Sequence, residues 1–287
     1  TKFDQKETDW SASRLETYKS CPMRFWTQYG LGVVEQRIPA LGLESFQIGG
    51  ILHQILEELY RAAEDPTNVD HLLEQLPIIA LNVFDAAPDK YQFEPTVYWP
   101  TQQAEWLEIL KAAILGLASD EWVPIAFEEK FGMEGKPALK IDLENDRMIR
   151  LHGVIDRIDQ DLQGNLRVID YKTGVSHLGK DDLIQGTRLQ LPLYAMAAMQ
   201  ALKMGEVREG FYWTLNGKEA GSLKLSKFQL DDFEGPSGAI QVAKLHLQMI
   251  MDGLSNADFR PQVPEGGCPQ YCGARLWCWR YRPGRQG

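Results

Sequence analysis

The chain is poor in the residues that most often announce an enzyme. It has five histidines and four cysteines in 287 residues. No H-x-E or H-E-x-x-H pattern occurs, and with so little histidine this argues against a small-molecule metallohydrolase. No G-x-x-x-x-G-K followed by Ser or Thr occurs either, so the chain carries no P-loop motor. No apolar run reaches the roughly 18 residues of a membrane-spanning helix. The polar start, Thr1 to Thr8, is no signal peptide. These absences imply a cytoplasmic globular protein with no membrane partner. The first residue is Thr1 rather than Met, which suggests an excised part of a longer protein. Positive charge is also short. The net charge of −10 argues mildly against coating nucleic acid by charge alone, but it is compatible with a site whose carboxylates bind a metal ion.

What cysteine there is falls in a telling arrangement. Cys268, Cys272 and Cys278 form C-x3-C-x5-C, and Cys21 stands alone near the other end. Without a secretory signal, such crowding favours a metal or cluster over two disulfides or free thiols. Cys21 as fourth ligand would staple the chain ends together, and closing so long a loop should stabilise the fold. The residues alone fit a zinc site as well as an iron–sulfur cluster. Residues 260–287 would form the cluster-binding C-terminal segment. There Arg275, Arg280, Arg282 and Arg285 interleave with Trp277, Trp279 and Tyr281. That pattern suits single-strand stacking and equally suits a shell around the cysteines.

Periodicity places the elements. Ser11 to Tyr29 reads as a helix with a break or restart at Cys21-Pro22. Phe46 to Ala63 reads as an amphipathic helix carrying His53 just after Gly49-Gly50. Residues 66–147 read as acidic and turn-rich, a helical insertion with one helix at Ala104 to Ala118 and a strand at Trp122 to Gly132. Met148 to Asp159 and Leu166 to Lys172 read as a hairpin turning at Gln163-Gly164-Asn165. Gln190 to Lys203 reads as a helix that tolerates Pro192 in its first turn. Short strands at Phe211 to Leu215 and Ser222 to Lys227 follow, then a helix at Gly238 to Leu254.

The hairpin carries the chemistry. Asp170 and Lys172 are two apart on a strand and share a face, and Asp156 lies on the partner strand. Two carboxylates brought together can hold Mg²⁺ or Mn²⁺, which activates water and steadies the leaving oxygen of a phosphodiester. Lys172 beside them can stabilise phosphoryl charge. His53 offers a nitrogen ligand. Gln190 and Tyr194, one helical turn apart, can bond a phosphate or hold Lys172.

His53, the G-x-x-D ending at Asp156, Asp170-x-Lys172 and Gln190-x-x-x-Tyr194 together resemble the RecB-type branch of the PD-(D/E)XK nucleases. Ser11 to Phe25, with its Cys21-Pro22, resembles that branch's iron–sulfur subgroup, which includes the AddB-type nuclease domain and a CRISPR-associated exonuclease. The resemblance spans residues 11 to 278. It implies one nuclease domain over 1–287 with an α/β fold, a restriction-endonuclease-like core of mixed sheet flanked by helices. It implies His53, Asp156, Asp170 and the Tyr171 carbonyl as metal ligands, and Lys172 as the catalytic lysine with Gln190 and Tyr194 as accessories. Glu128 resembles a further acidic position, for which Glu129 competes. It implies a 4Fe-4S cluster on Cys21, Cys268, Cys272 and Cys278, although the family more often has x2 where this chain has x3. The implied function is Mg²⁺-dependent exonuclease action in DNA repair or recombination, on DNA with single-stranded ends and beside a helicase domain or subunit. The alternative is an inactive iron–sulfur scaffold that binds DNA.

Overall fold

A computed structural model describes residues 9–33, 42–119, 121–174 and 178–284. After a two-residue strand β1 (Asp9–Trp10), Ser11 caps helix α1 (Ala12–Ser20) by accepting from the Arg14 amide. The expected break falls at Cys21. Its sulfur accepts from the Arg24 amide and caps helix α2 (Pro22–Phe25), with Pro22 at the position where a missing N–H costs nothing. Helix α3 (Ser45–Ala62) follows; at its start Gln47 Oε1 accepts from the Glu44 amide.

The 66–147 stretch divides. Helices α4 (Val69–Tyr91) and α5 (Trp99–Leu117) fill its first part. Strand β2 (Val123–Phe131) then joins the main sheet, and β3 (Leu139–Leu143) joins a small second sheet. The helical part of this stretch therefore ends at Leu117. Helix α4 forms despite Pro77 and Pro88 within it. Its apolar face of Leu72, Leu76, Ala80, Val83, Phe84 and Ala87 is buried against α3 and α5, and tertiary packing outweighs the lost amide donors.

The expected single strand from Met148 to Asp159 is two strands: β4 (Arg147–Leu151) and β5 (Gly153–Gln160). β4 pairs with β1 and β3 in the small sheet, while β5 enters the main one. The switch occurs at His152, whose amide bonds Trp10 O, beside Gly153. A Cβ at Gly153 would meet the Phe131 ring at 2.8 Å, so only glycine lets β5 start against β2.

Strands β6 (Leu166–Lys172), β7 (Val207–Thr214) and β8 (Glu219–Lys224) complete a five-stranded sheet in the order β2-β5-β6-β7-β8. The β6–β7 pair is parallel and the other pairs are antiparallel. The crossover between β6 and β7 runs through α6 (Lys180–Gln185) and α7 (Gln190–Met196), which continues as a π-helical turn, Ala197–Ala201. The last expected strand, Ser222 to Lys227, lies three residues earlier at Glu219–Lys224, because Leu225–Lys227 form a 3₁₀ turn. The long helix α8 (Gly235–Ser255) closes the fold.

Both faces of the sheet are covered. Val168 and Tyr212 pack with α1, α7 and α8, while Ile169, Tyr171, Phe211 and Trp213 pack with α3, α4 and α5. Strand alternation thus places Asp170 and Lys172 on the α7 side and the Tyr171 ring on the α3 side. Among the described residues no helix is long and apolar enough to cross a membrane.

Candidate active site

The site opens where two strands part. The β5–β6 ladder ends at the Arg157–Ile169 pair, while β5 continues beside β2 as far as Gly153. In the splay, Asp156 bonds the other strand by its side chain: the Tyr171 amide donates to Asp156 Oδ2 at 2.7 Å. The Tyr171 carbonyl lies 3.2 Å from His53 Nε2. The other ring nitrogen, Nδ1, lies 3.4 Å from Glu128 and 3.5 Å from Asp156. One ligand atom each from His53, Glu128 and Asp156 falls within 4.8 Å of the others.

Between the two competing glutamates the backbone decides. Glu128 sits at φ 47°, a left-handed conformation that costs about 1–3 kcal/mol for a residue with a side chain. The twist aims its carboxylate at His53. Glu129 instead pairs with Lys136 at 2.5 Å, away from the site.

Asp170 stands slightly apart from this trio. Its Oδ2 is ion-paired to Lys172 Nζ at 2.5 Å, and this buried oxygen keeps a lone pair to offer. Lys172 Nζ donates to Gln190 Oε1 at 2.9 Å, and Gln190 Nε2 donates to the Tyr194 hydroxyl at 3.1 Å. The expected accessory pair therefore forms one relay that ends on the lysine.

Burial pushes the Asp156 carboxyl up to about 7, with Asp170 and Glu128 adding to the rise and His53 and Lys172 opposing it. Burial pulls His53 down, but Asp156, Glu128 and Asp170 together raise it to about 9. Burial also opposes the Lys172 charge, yet Asp170 and Asp156 hold its pKa above the ordinary lysine value. Asp156 thus keeps its proton more readily than an ordinary carboxyl, and a nearby dication would displace it. The donor set fits such an ion: carboxylates and a carbonyl for a hard cation, with one imidazole tolerated by Mn²⁺ and its neighbours.

A cleft of about 460 Å³ leads to these groups. Gly49, Gly50, Lys90, Tyr91 and Thr173 line it together with His53, Glu128 and Lys172. A Cβ on Gly50 would strike the Tyr91 ring at 2.9 Å, so this glycine lets α4 close one wall. Gly49 has more room, with Thr173 at 3.8 Å.

The cysteines lie elsewhere, around α1 and α2. Burial raises the Cys272 thiol, and the Cys21 and Cys268 sulfurs lie near enough to raise it further. Backbone amides of Arg24 and Gln262 point at Cys21 Sγ, and that of Arg282 points at Cys268 Sγ. Cys278 is half-buried and its amide bonds Ala274 O. Arg275, Trp277, Trp279, Arg280 and Arg282 are exposed beside them, whereas Arg285 lies outside the described residues.

Two site residues carried too little signal to be found with certainty. Glu128 had a rival one position away. Glu16, which bonds the start of α7, sits in an unremarkable helical position, and nothing local distinguishes it.

A splayed mixed sheet with acids and a lysine at the splay is the architecture of a PD-(D/E)XK nuclease. The profile of the PD-(D/E)XK nuclease superfamily matches residues 9–279, and the chain belongs to that superfamily. Similar curated proteins include an ATP-dependent helicase/deoxyribonuclease subunit from Moorella thermoacetica, 32% identical over 260 residues, covering 78% of this chain and 22% of that protein. The protein of the same name from Caldanaerobacter subterraneus is 29% identical over 215 residues, covering 70% of this chain and 18% of its own length. That from Clostridioides difficile is 27% identical over 224 residues, covering 69% and 18%. The chain spans about a fifth of the length of these relatives.

Proposed function

We propose that this domain is a Mg²⁺- or Mn²⁺-dependent deoxyribonuclease, an exonuclease of DNA repair or recombination that works on single-stranded ends beside a helicase region or subunit. The observation that carries this reading is the gathering of His53, Glu128 and Asp156 at the β5–β6 splay, with Asp170 and Lys172 alongside. His53, Asp156, Asp170 and the Tyr171 carbonyl would hold the ion, with Glu128 as a further ligand. When bound, the ion supplies Lewis acidity to the scissile phosphate and to an attacking water. The chain's own groups do the rest. The Lys172 ammonium stabilises the charge that grows on the phosphoryl oxygens. Gln190 and Tyr194 fix where that ammonium points. Lys90, on the opposite wall of the cleft, gives a second positive contact for a strand phosphate. The long helicase/deoxyribonuclease relatives favour the repair setting.

Linear DNA incubated with the domain and Mg²⁺ or Mn²⁺ should lose nucleotides from its ends, and excess EDTA should stop the reaction. Cleavage that persists in excess EDTA would sink this reading. The inactive-scaffold alternative predicts DNA binding without cleavage in any divalent metal.

For the four thiolates we propose a 4Fe-4S cluster, supported by the electrostatic influence of Cys21 and Cys268 on Cys272 and by the amide donors aimed at two of these sulfurs. Protein purified without oxygen should be brown and contain iron. Cys21→Ala should lower the melting temperature about as much as Cys272→Ala, since either opens the same closure. One zinc and no iron in elemental analysis would assign the thiolates to a single zinc ion instead. A Cys21→Ala variant as stable as wild type and still metal-loaded would refute the staple.

A further inference from the structure

Glu16 is a buried carboxylate that takes no direct part in the chemistry proposed above. It sits in α1, and its Oε1 accepts from the amides of Leu189 at 2.6 Å and Gln190 at 3.1 Å. Arg188 stands 3.8 Å from its other oxygen. The next amide, that of Leu191, donates to the Tyr212 hydroxyl at 3.4 Å, and the Tyr212 ring lies under the Lys172 ammonium with Nζ 5.6 Å from its centre. The free amides at the start of α7 are therefore satisfied by two buried groups from other elements. A buried acid in this place is costly, and burial raises the Glu16 carboxyl above the usual range while the Leu189 amide, Arg188 and the Gln190 amide oppose it. A short helix such as α7 does not require a buried acid at its start, because a Ser, Thr, Asp or Asn cap of its own would serve. What this acid adds is a fixed position. Gln190 is at once the residue whose amide Glu16 holds and the residue whose side chain holds Lys172.

We infer that Glu16 is a positioning residue for the catalytic lysine, acting from α1 through the Gln190 backbone and the Gln190 side chain on Lys172. This rests on the nuclease reading above. Rotation or sliding of α7 by a fraction of its turn moves Gln190 Oε1 and releases the ammonium. The same helix ends on Cys21, five residues and roughly 7.5 Å of helix rise from Glu16. Displacement of the cysteine lobe would therefore reach the lysine along one rigid element.

The test is a double-mutant cycle between Glu16→Ala and Gln190→Ala, with Glu16→Gln as the conservative variant. Well below the melting temperature, Glu16→Ala should lower kcat by about 10- to 100-fold, the scale of a misplaced catalytic group, while KM for DNA holds. Glu16→Gln keeps an acceptor of the same reach and should recover most of kcat. In the Gln190→Ala background the Glu16 substitution should add little, because both act on one route. If Glu16→Ala does not fold, Glu16→Asp, one methylene shorter, takes its place in the cycle. A second readout needs no cleavage: acylation of Lys172 followed by mass spectrometry should rise in Glu16→Ala and in Gln190→Ala, as the ammonium keeps only its Asp170 partner. Effects that multiply independently, a Glu16→Gln variant as poor as Glu16→Ala, or unchanged Lys172 labelling would each overturn the inference. Absence of cleavage by the wild type would overturn the nuclease reading, while the labelling would still decide the role of Glu16.

Discussion

Lys172→Ala should lower kcat by roughly 10²–10³ and leave the fold standing, the loss expected when one preorganised donor to a developing oxyanion is removed. The side chain is about a quarter exposed, at the mouth of the site, so its truncation opens no core cavity. Its neighbours hold its pKa above the ordinary value, so at neutral pH it acts as a fixed positive charge and not as a general base. Removing that charge leaves Asp156 and Asp170 less compensated. Binding of Mn²⁺ by calorimetry should therefore be undiminished or tighter, opposite to what Asp170→Ala should do. The pairing of lost kcat with retained metal distinguishes a catalytic lysine from one that merely neutralises acids. A variant that cleaves like the wild type would show that Lys172 is a surface residue.

The largest loss of stability should come from a residue that touches no substrate. Asp159 is fully buried and bridges two arginines. Its Oδ1 accepts from Arg157 Nε at 2.6 Å, and its Oδ2 accepts from Arg167 Nε at 2.9 Å and Nη2 at 2.6 Å. Arg157 also donates to the Tyr60 hydroxyl at 3.0 Å and lies over that ring, while Arg167 lies over Trp122. Asp159→Ala strands two guanidinium groups in a low-dielectric interior with one shared acceptor gone. Breaking a buried ion pair from one side costs about 3–5 kcal/mol. In a domain of this size that lowers the melting temperature by roughly 10 °C. Thermal unfolding followed by circular dichroism measures it. A shift of only a degree or two would show that water or Tyr60 compensates both arginines.

The chemistry of this chain was far more legible than its architecture. Asp156, Asp170, Lys172, Gln190 and Tyr194 were legible because spacing pairs them on strand and helix faces and the whole set resembles a known family, and the structure brings them to one place. The helix break at Cys21-Pro22 was equally plain. Helix α4 was hidden by Pro77 and Pro88, strong local breakers that its packing overrides. The passage from β4 to β5 was hidden because one apolar pattern serves two sheets, with only His152-Gly153 to mark the change. Glu128 won over Glu129 through a left-handed backbone, which no side-chain pattern encodes. Glu16 was invisible because its partners lie more than 170 residues away.

The contacts of the first helix set the order in which the domain can assemble. The Tyr18 hydroxyl donates to Asp258 O across 240 residues, Trp26 stacks on Phe259, and the Gln262 amide reaches Cys21. On the ribosome, α1 and α2 are made early but must wait for the chain beyond α8 before they find these partners. Such distant pairings are slow to form because loop closure precedes any gain from them. The sheet and its acids can gather first; the cap on α7, and with it the setting of Lys172, comes last. A chain interrupted before Phe259 would lack these contacts of α1 and α2, so the helix that carries Glu16 would be held less firmly.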